Sequence, residues 1–216
     1  MPQLFITYIA PGAILLPIGI AIARSAHWGR SELVVFLYLI LSGVTNTIAS
    51  YFAHYGWNNM PILHAYTLLE FLAIAYFFDS TTDNPKEKLV IAFTRDLLPL
   101  ITVINIMGLG SVLKYNQIAR TAAAIMILLL CIYFLMKGLN LLAAKMPFFS
   151  FATVVGFMLY FSGSLTLFAL SDLLLSAERS LFWLIWNTHA AFMMVMYLII
   201  ALAYFRTRRS DEPLLV

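Results

Sequence analysis

Charge is what this sequence has least of. Asp, Glu, Lys and Arg make up 11% of its 216 residues, against about 25% in soluble globular domains, and apolar residues reach 62% where such domains carry about 45–50%. A water-soluble fold cannot cover that much apolar surface, so the scarcity of charge excludes one. Cysteine is nearly absent too. Cys131 stands alone inside an apolar run, which rules out an internal disulfide and leaves the redox compartment unread; it reads as a small core or lipid-facing residue. No basic block of the kind nucleic acid requires is present. The net charge of +3 comes from cations flanking apolar runs, where loops meet anionic lipid. The N-terminal apolar stretch lacks a positive leading segment and contains Pro11 and Pro17, so it is expected to remain as a first helix rather than be cleaved as a signal peptide.

Long apolar runs are what the sequence has in abundance. A helix needs roughly 20 mostly apolar residues to cross the hydrocarbon core, and residues 1–216 divide into seven such spans joined by short turns, with no room for a second domain. The spans are expected at 5–23, 33–52, 60–78, 89–113, 118–136, 148–171 and 181–205. The fold class is therefore an all-α integral membrane protein, a bundle of seven transmembrane helices in contact with the lipid bilayer. In the fourth span Arg95 and Asp96 would each cost several kcal/mol at mid-bilayer, so residues 85–96 are expected at the interface and the crossing from Leu97 to Leu113. A short polar turn is expected from Asp172 to Ser180.

Lys and Arg fall unevenly on alternate ends of these spans. Ten (Arg24, Arg30, Lys86, Lys88, Arg95, Lys137, Lys145, Arg206, Arg208 and Arg209) lie at one set of ends and three (Lys114, Arg120 and Arg179) at the other. Cytoplasmic loops are the cation-rich ones. The N-terminus is accordingly expected outside and the C-terminus in the cytoplasm, for a multi-pass protein of a bacterial inner membrane. The tail from Ser210 to Val216 is too short for an output domain, so a signal would pass to a separate signalling partner.

Polar side chains inside such spans mark either helix packing or a site, and here most fall in the outer half. Ser42, Asn46, Ser50 and His54 recur every four residues along one face of the second span; the two serines read as inter-helix contacts, and Asn46 and His54 read equally well as site residues. The third span carries His64, Tyr66 and Glu70. Tyr66 and Glu70 share a face one turn apart, and Glu70 lies about ten residues deep, where a carboxylate must be paired or neutral. Arg120, at the start of the fifth span, is placed to snorkel outward or to reach inward to Glu70, Asn105 or Asn116. Gly156, Tyr160 and Ser164 repeat the four-residue spacing and read as close packing. After an aromatic belt of Trp183 and Trp186, the seventh span places Asn187 and His189 at a depth comparable with Glu70, and His189 and Glu70 are expected to act together.

The last span has no lysine for a retinal Schiff base, so no retinal is expected. His54, His64, His189 and Glu70 contain no pair of histidines four residues apart, a weak signal for zinc. Pro2-Gln3 has no counterpart in the second half, unlike small transporters built from repeats. Four stretches carry a family resemblance: Leu63-His64-Ala65-Tyr66-Thr67-Leu68-Leu69-Glu70-Phe71; Tyr115-Asn116-Gln117-Ile118-Ala119-Arg120-Thr121; Pro147-Phe148-Phe149 with Tyr160-Phe161-Ser162-Gly163-Ser164; and Asn187-Thr188-His189. Together they resemble a group of uncharacterised small bacterial seven-helix membrane proteins, similar to the membrane sensor halves of some histidine kinases. The resemblance covers the third to the seventh span and implies signal reception.

The expected function is thus a small sensor or receptor-like protein. Its outward-opening polar pocket, made by Asn46, His64, Tyr66, Glu70, Arg120, Asn187 and His189, would bind a small ligand, ion or proton. No cofactor is expected, and catalysis is not the leading reading. The alternatives are an intramembrane metal-dependent lipid hydrolase and a small-solute transporter.

Overall fold

The computed structural model of the chain describes residues 4–108, 112–115, 117–139, 146–170 and 178–207. Among them every element is helical, and seven helices are long and apolar enough to cross a membrane, the make-up of a multi-pass membrane protein. They are α1 (Phe5–Ala23), α2 (Arg30–His54), α3 (Met60–Ser80), α4 (Pro85–Gly108), α5 (Gln117–Leu139), α6 (Phe148–Ala169) and α7 (Arg179–Phe205). Lys145, Asn116, Arg208, Arg209 and most of the expected turn from Asp172 to Ser180 lie outside the described residues, while Arg179 and Ser180 already belong to α7.

Prolines shape α1. Proline has no N–H and crowds the carbonyl four residues back. Pro11 and Pro17 accordingly break α1 into a π-helical turn at Phe5–Ile9, a short turn at Ala10–Gly12 and a regular stretch at Leu15–Ala23. Polar caps set the other starts. The Gly29 N–H donates to Glu32 Oε2 at 3.0 Å, which begins α2 three residues before its apolar run. The Met60 N–H donates to Asn58 Oδ1 at 2.9 Å at the head of α3. In α4 the segment expected at the interface is continuous with the rest of the helix. Arg95 there pairs with its neighbour Asp96 at 3.2 Å and lies over the Tyr76 ring at 5.7 Å.

The helices form a ring in the order α1, α2, α3, α5, α6, α7, with α4 outside the seam between α3 and α5. The most buried helix is α6, which packs on both α5 and α7. At Gly163 the Phe192 ring of α7 occupies the place a Cβ would take. Half of the bundle has a solid aromatic core. Phe157 stands between Tyr38 (5.4 Å) and Phe77 (5.7 Å), Phe78 meets Phe134 (4.9 Å), and Phe149 meets Tyr204 (4.9 Å). This is the half in which α1, α3, α5 and α7 end, and among the described cations Arg24, Arg30, Lys86, Lys88, Lys137 and Arg206 lie at or near its helix ends. The opposite half is hollow.

Candidate functional site

The hollow half is organised by one buried ion pair. Glu70, 1% exposed in the middle of α3, faces the first turn of α5, and Arg120 Nη1 donates to its Oε2. Tyr66, one turn earlier on α3, donates its phenolic proton to the other carboxylate oxygen at 2.8 Å. Arg120 Nη2 donates to the Tyr160 hydroxyl on α6 at 3.3 Å. Its guanidinium lies 4.5 Å from the centroid of the Phe168 ring and 5.6 Å from that of Tyr66, a cation over two aromatic faces. A charge in the interior is tolerated when it is paired and hydrogen-bonded; here each charge has the other as partner, Glu70 also accepts from Tyr66, and Arg120 also donates to Tyr160.

A line of hydroxyls continues from the pair. Tyr66 Oη lies 3.1 Å from Ser42 Oγ, which lies 3.0 Å from Tyr197 Oη on α7. A phenol has one proton. Tyr66 shares that proton between Glu70 Oε1 and Ser42 Oγ, and the Ser42–Tyr197 contact carries the line of hydroxyls across three helices. Beside it, His189 Nδ1 and Ser164 Oγ are 2.7 Å apart, and the imidazole is enclosed by the rings of Tyr160, Phe168 and Trp186.

These groups surround a cavity of about 230 Å³, to which every helix except α4 contributes. Its polar lining comprises Tyr38, Ser42, Thr45, Asn46, Tyr66, Thr67, Tyr115, Arg120, Tyr160, His189 and Tyr197, and its apolar lining includes Trp186, Met193 and Met196. Arg120 lines it and Glu70 does not. The cation therefore has an edge toward the cavity while its counter-ion stays behind, which suits a ligand bearing hydrogen-bond acceptors or negative charge.

The structure brings Tyr66, Glu70, Arg120 and His189 together and sets Asn46, exposed and without a hydrogen bond among the described residues, on the cavity rim. His64 and Asn187 go elsewhere. His64 Nε2 meets the Lys114 carbonyl at 2.9 Å and ties α3 to the segment before α5; Asn187 Nδ2 donates to the Trp183 carbonyl of its own helix at 2.6 Å. Neither lines the cavity. Glu70 and His189 do not touch: Arg120 and Tyr160 occupy the space through which they were expected to meet. Tyr38, Tyr160 and Tyr197 escaped the sequence reading as site residues. The signal was the same four-residue spacing, read through tyrosines: 38, 42 and 46; 160 and 164; 189, 193 and 197.

Among the described residues no group of three or more His, Cys, Asp or Glu side chains is placed to hold a metal ion. His54 is exposed at the end of α2, His64 is bound to a backbone carbonyl and His189 to a serine. The hydrolase alternative thus finds no converging donor set there. Comparison with protein-family models, with curated proteins and with solved structures finds no match.

Proposed function

We propose that this chain is a small receptor-like protein of a bacterial inner membrane, with its N-terminus outside and C-terminus in the cytoplasm, whose hollow outer half binds a small ligand. The observation that carries this reading is the cavity itself: six helices converge on one polar space, and a buried Arg120–Glu70 pair spans its wall. Convergent polar groups in an otherwise apolar cavity are the usual make-up of a small-molecule site.

The same arrangement supports signalling. A ligand with acceptor atoms competes with Glu70 for Arg120, and the competition alters the link between α3 and α5. At its other end α5 is held by Lys137, whose Nζ lies 2.8 Å from both oxygens of Glu87 on α4. Two discrete ion pairs at opposite ends of one helix are the kind of two-state element through which a ligand biases a distant surface. The cation-rich cytoplasmic end then meets a separate signalling partner.

The test is thermal unfolding of the purified full chain in detergent against a panel of small carboxylates, phosphates and polyols, beside the Ser42→Ala, Tyr66→Phe double variant. A ligand of the cavity raises the Tm of the parent chain and loses much of that effect in the variant. Equal shifts in both proteins place binding elsewhere and overturn the assignment.

A further inference from the structure

We propose that the cavity receives its ligand sideways from the membrane, between α1 and α2, and that the ligand is a single-chain amphiphile with an anionic headgroup. The proposal rests on the cavity being a ligand site and names the ligand class. Its first support is packing: α1 lies chiefly against α7 and touches α2 only lightly, so one seam of the ring is weakly closed. The breaks at Pro11 and Pro17 keep α1 from lying against α2 as one straight helix.

A second cavity, of about 520 Å³, occupies that seam. Its walls are mostly apolar, with Tyr8, Leu15, Ile40, Val44 and Ile48 among them, and Tyr8 and Leu15 also present 68% and 70% of their surface outward. At this level of a membrane-spanning bundle such a trough faces acyl chains. Pro11, Ile14, Gly43 and Asn46 line both this trough and the first cavity, so the two adjoin at these residues. At this junction a Cβ on Gly43 would meet Ile14 Cδ1 at 3.7 Å, an ordinary packing contact, whereas a phenyl ring there would fill the space between the two cavities.

The two cavities together supply what an amphiphile requires. The trough has mostly apolar walls, the Asn46 amide lines both cavities, and the first cavity holds the hydroxyls of Ser42, Tyr66 and Tyr197 and the guanidinium of Arg120. Among the described residues no carboxylate lines either cavity. An anionic head is drawn to Arg120 by charge-assisted hydrogen bonds, and its chain stays in the trough, where burial costs no desolvation.

Palmitate carrying a diazirine in its chain, photolysed with the full chain in phosphatidylcholine nanodiscs, tests this directly. Adducts mapped by mass spectrometry are expected to concentrate on α1 and α2 at the seam and to be removed by excess palmitate. Hexadecanol and hexadecyltrimethylammonium, with the same chain but no anionic head, should compete about tenfold or more weakly, the effect of losing one strong charge-assisted hydrogen bond. Gly43→Phe should abolish the seam adducts; the headgroup series on the parent chain decides the matter even where that variant does not fold. Adducts spread evenly over all outward-facing helices, or equal competition by the three heads, overturn the proposal. Butyrate that stabilises the parent and Gly43→Phe equally overturns the lateral route while leaving the cavity a ligand site, whereas failure of palmitate and butyrate alike to bind removes both readings.

Discussion

Arg120 and Glu70, fifty residues apart in the chain, close an ion pair between the first turn of α5 and the middle of α3. Removing one member of a buried pair leaves the other charged without a partner, at a cost of about 3–5 kcal/mol. Glu70→Gln and Arg120→Gln should each lower the stability of the detergent-solubilised chain by an amount in that range. The double variant should lose less than the sum of the two by well over ~0.5 kcal/mol. Thermal unfolding of the four proteins checks this, and additive losses would mean that the pair does not act as a unit. Glu70→Gln combined with His189→Ala should come closer to additivity, because Arg120 and Tyr160 stand between the two residues.

A second ion pair yields a prediction with an asymmetry. Glu87 is buried and also accepts from the hydroxyls of Thr82 and Tyr133, whereas the Lys137 side chain is 37% exposed. Lys137→Ala leaves a buried carboxylate supported by two neutral hydroxyls and the Asn84 amide. Glu87→Gln leaves an ammonium already in reach of water. The lysine variant should therefore be the less stable of the two by about 1–2 kcal/mol, and equal losses would show that burial of Glu87 is not what sets the cost.

Much of the fold was legible because a hydrocarbon span imposes a length, and seven apolar runs of that length stand in the chain. The starts were less so. Glu32 and Arg30 read as loop residues by hydropathy, yet Glu32 caps α2, and the helix begins at Arg30. For the site, depth could be counted along each helix; it set Glu70 near the middle of α3 and left Arg120 to snorkel outward or to reach inward to it. Azimuth decided the rest. At 100° per residue, Asn187 is about 160° round from His189, at nearly the same level but on another face, while His64 is about 120° round from Glu70 and about 9 Å nearer the start of α3. The tyrosines were hidden for another reason: a phenol counts as apolar in composition, and only its spacing with Ser42, Ser164 or His189 reveals which face its hydroxyl serves.

The proposed orientation rests on the ten cations expected at one set of helix ends against three at the other. A reporter that works only in the cytoplasm, fused after Val216, should be active, and a reporter fused at Met1 should behave as external. Activity of the C-terminal fusion only on the outer side would invert the bundle and turn its cavity toward the cytoplasm.

Two glycines on α6 allow a sharp contrast. Both lie on its packing side toward α7, and the small residues around Tyr160 read as close packing in the sequence without separating Gly156 from Gly163. The structure puts the tighter contact at Gly163. A Cβ there would fall inside the Phe192 ring, well within van der Waals contact, whereas a Cβ at Gly156 would meet Ile199 Cγ2 at 3.5 Å and Met196 Cγ at 3.6 Å, ordinary packing distances. Gly163→Ala must therefore push Phe192 or separate α6 from α7, at a cost of about 1–3 kcal/mol, the usual range for overpacking. Gly156→Ala should be neutral or slightly stabilising, because alanine also lowers the entropy of the unfolded chain. Phe192 is only half-buried, so Phe192→Leu should recover most of the loss in the Gly163→Ala background. Thermal unfolding of the three variants decides it: a Gly156→Ala loss as large as that of Gly163→Ala would show that the two glycines sit equally tight against α7.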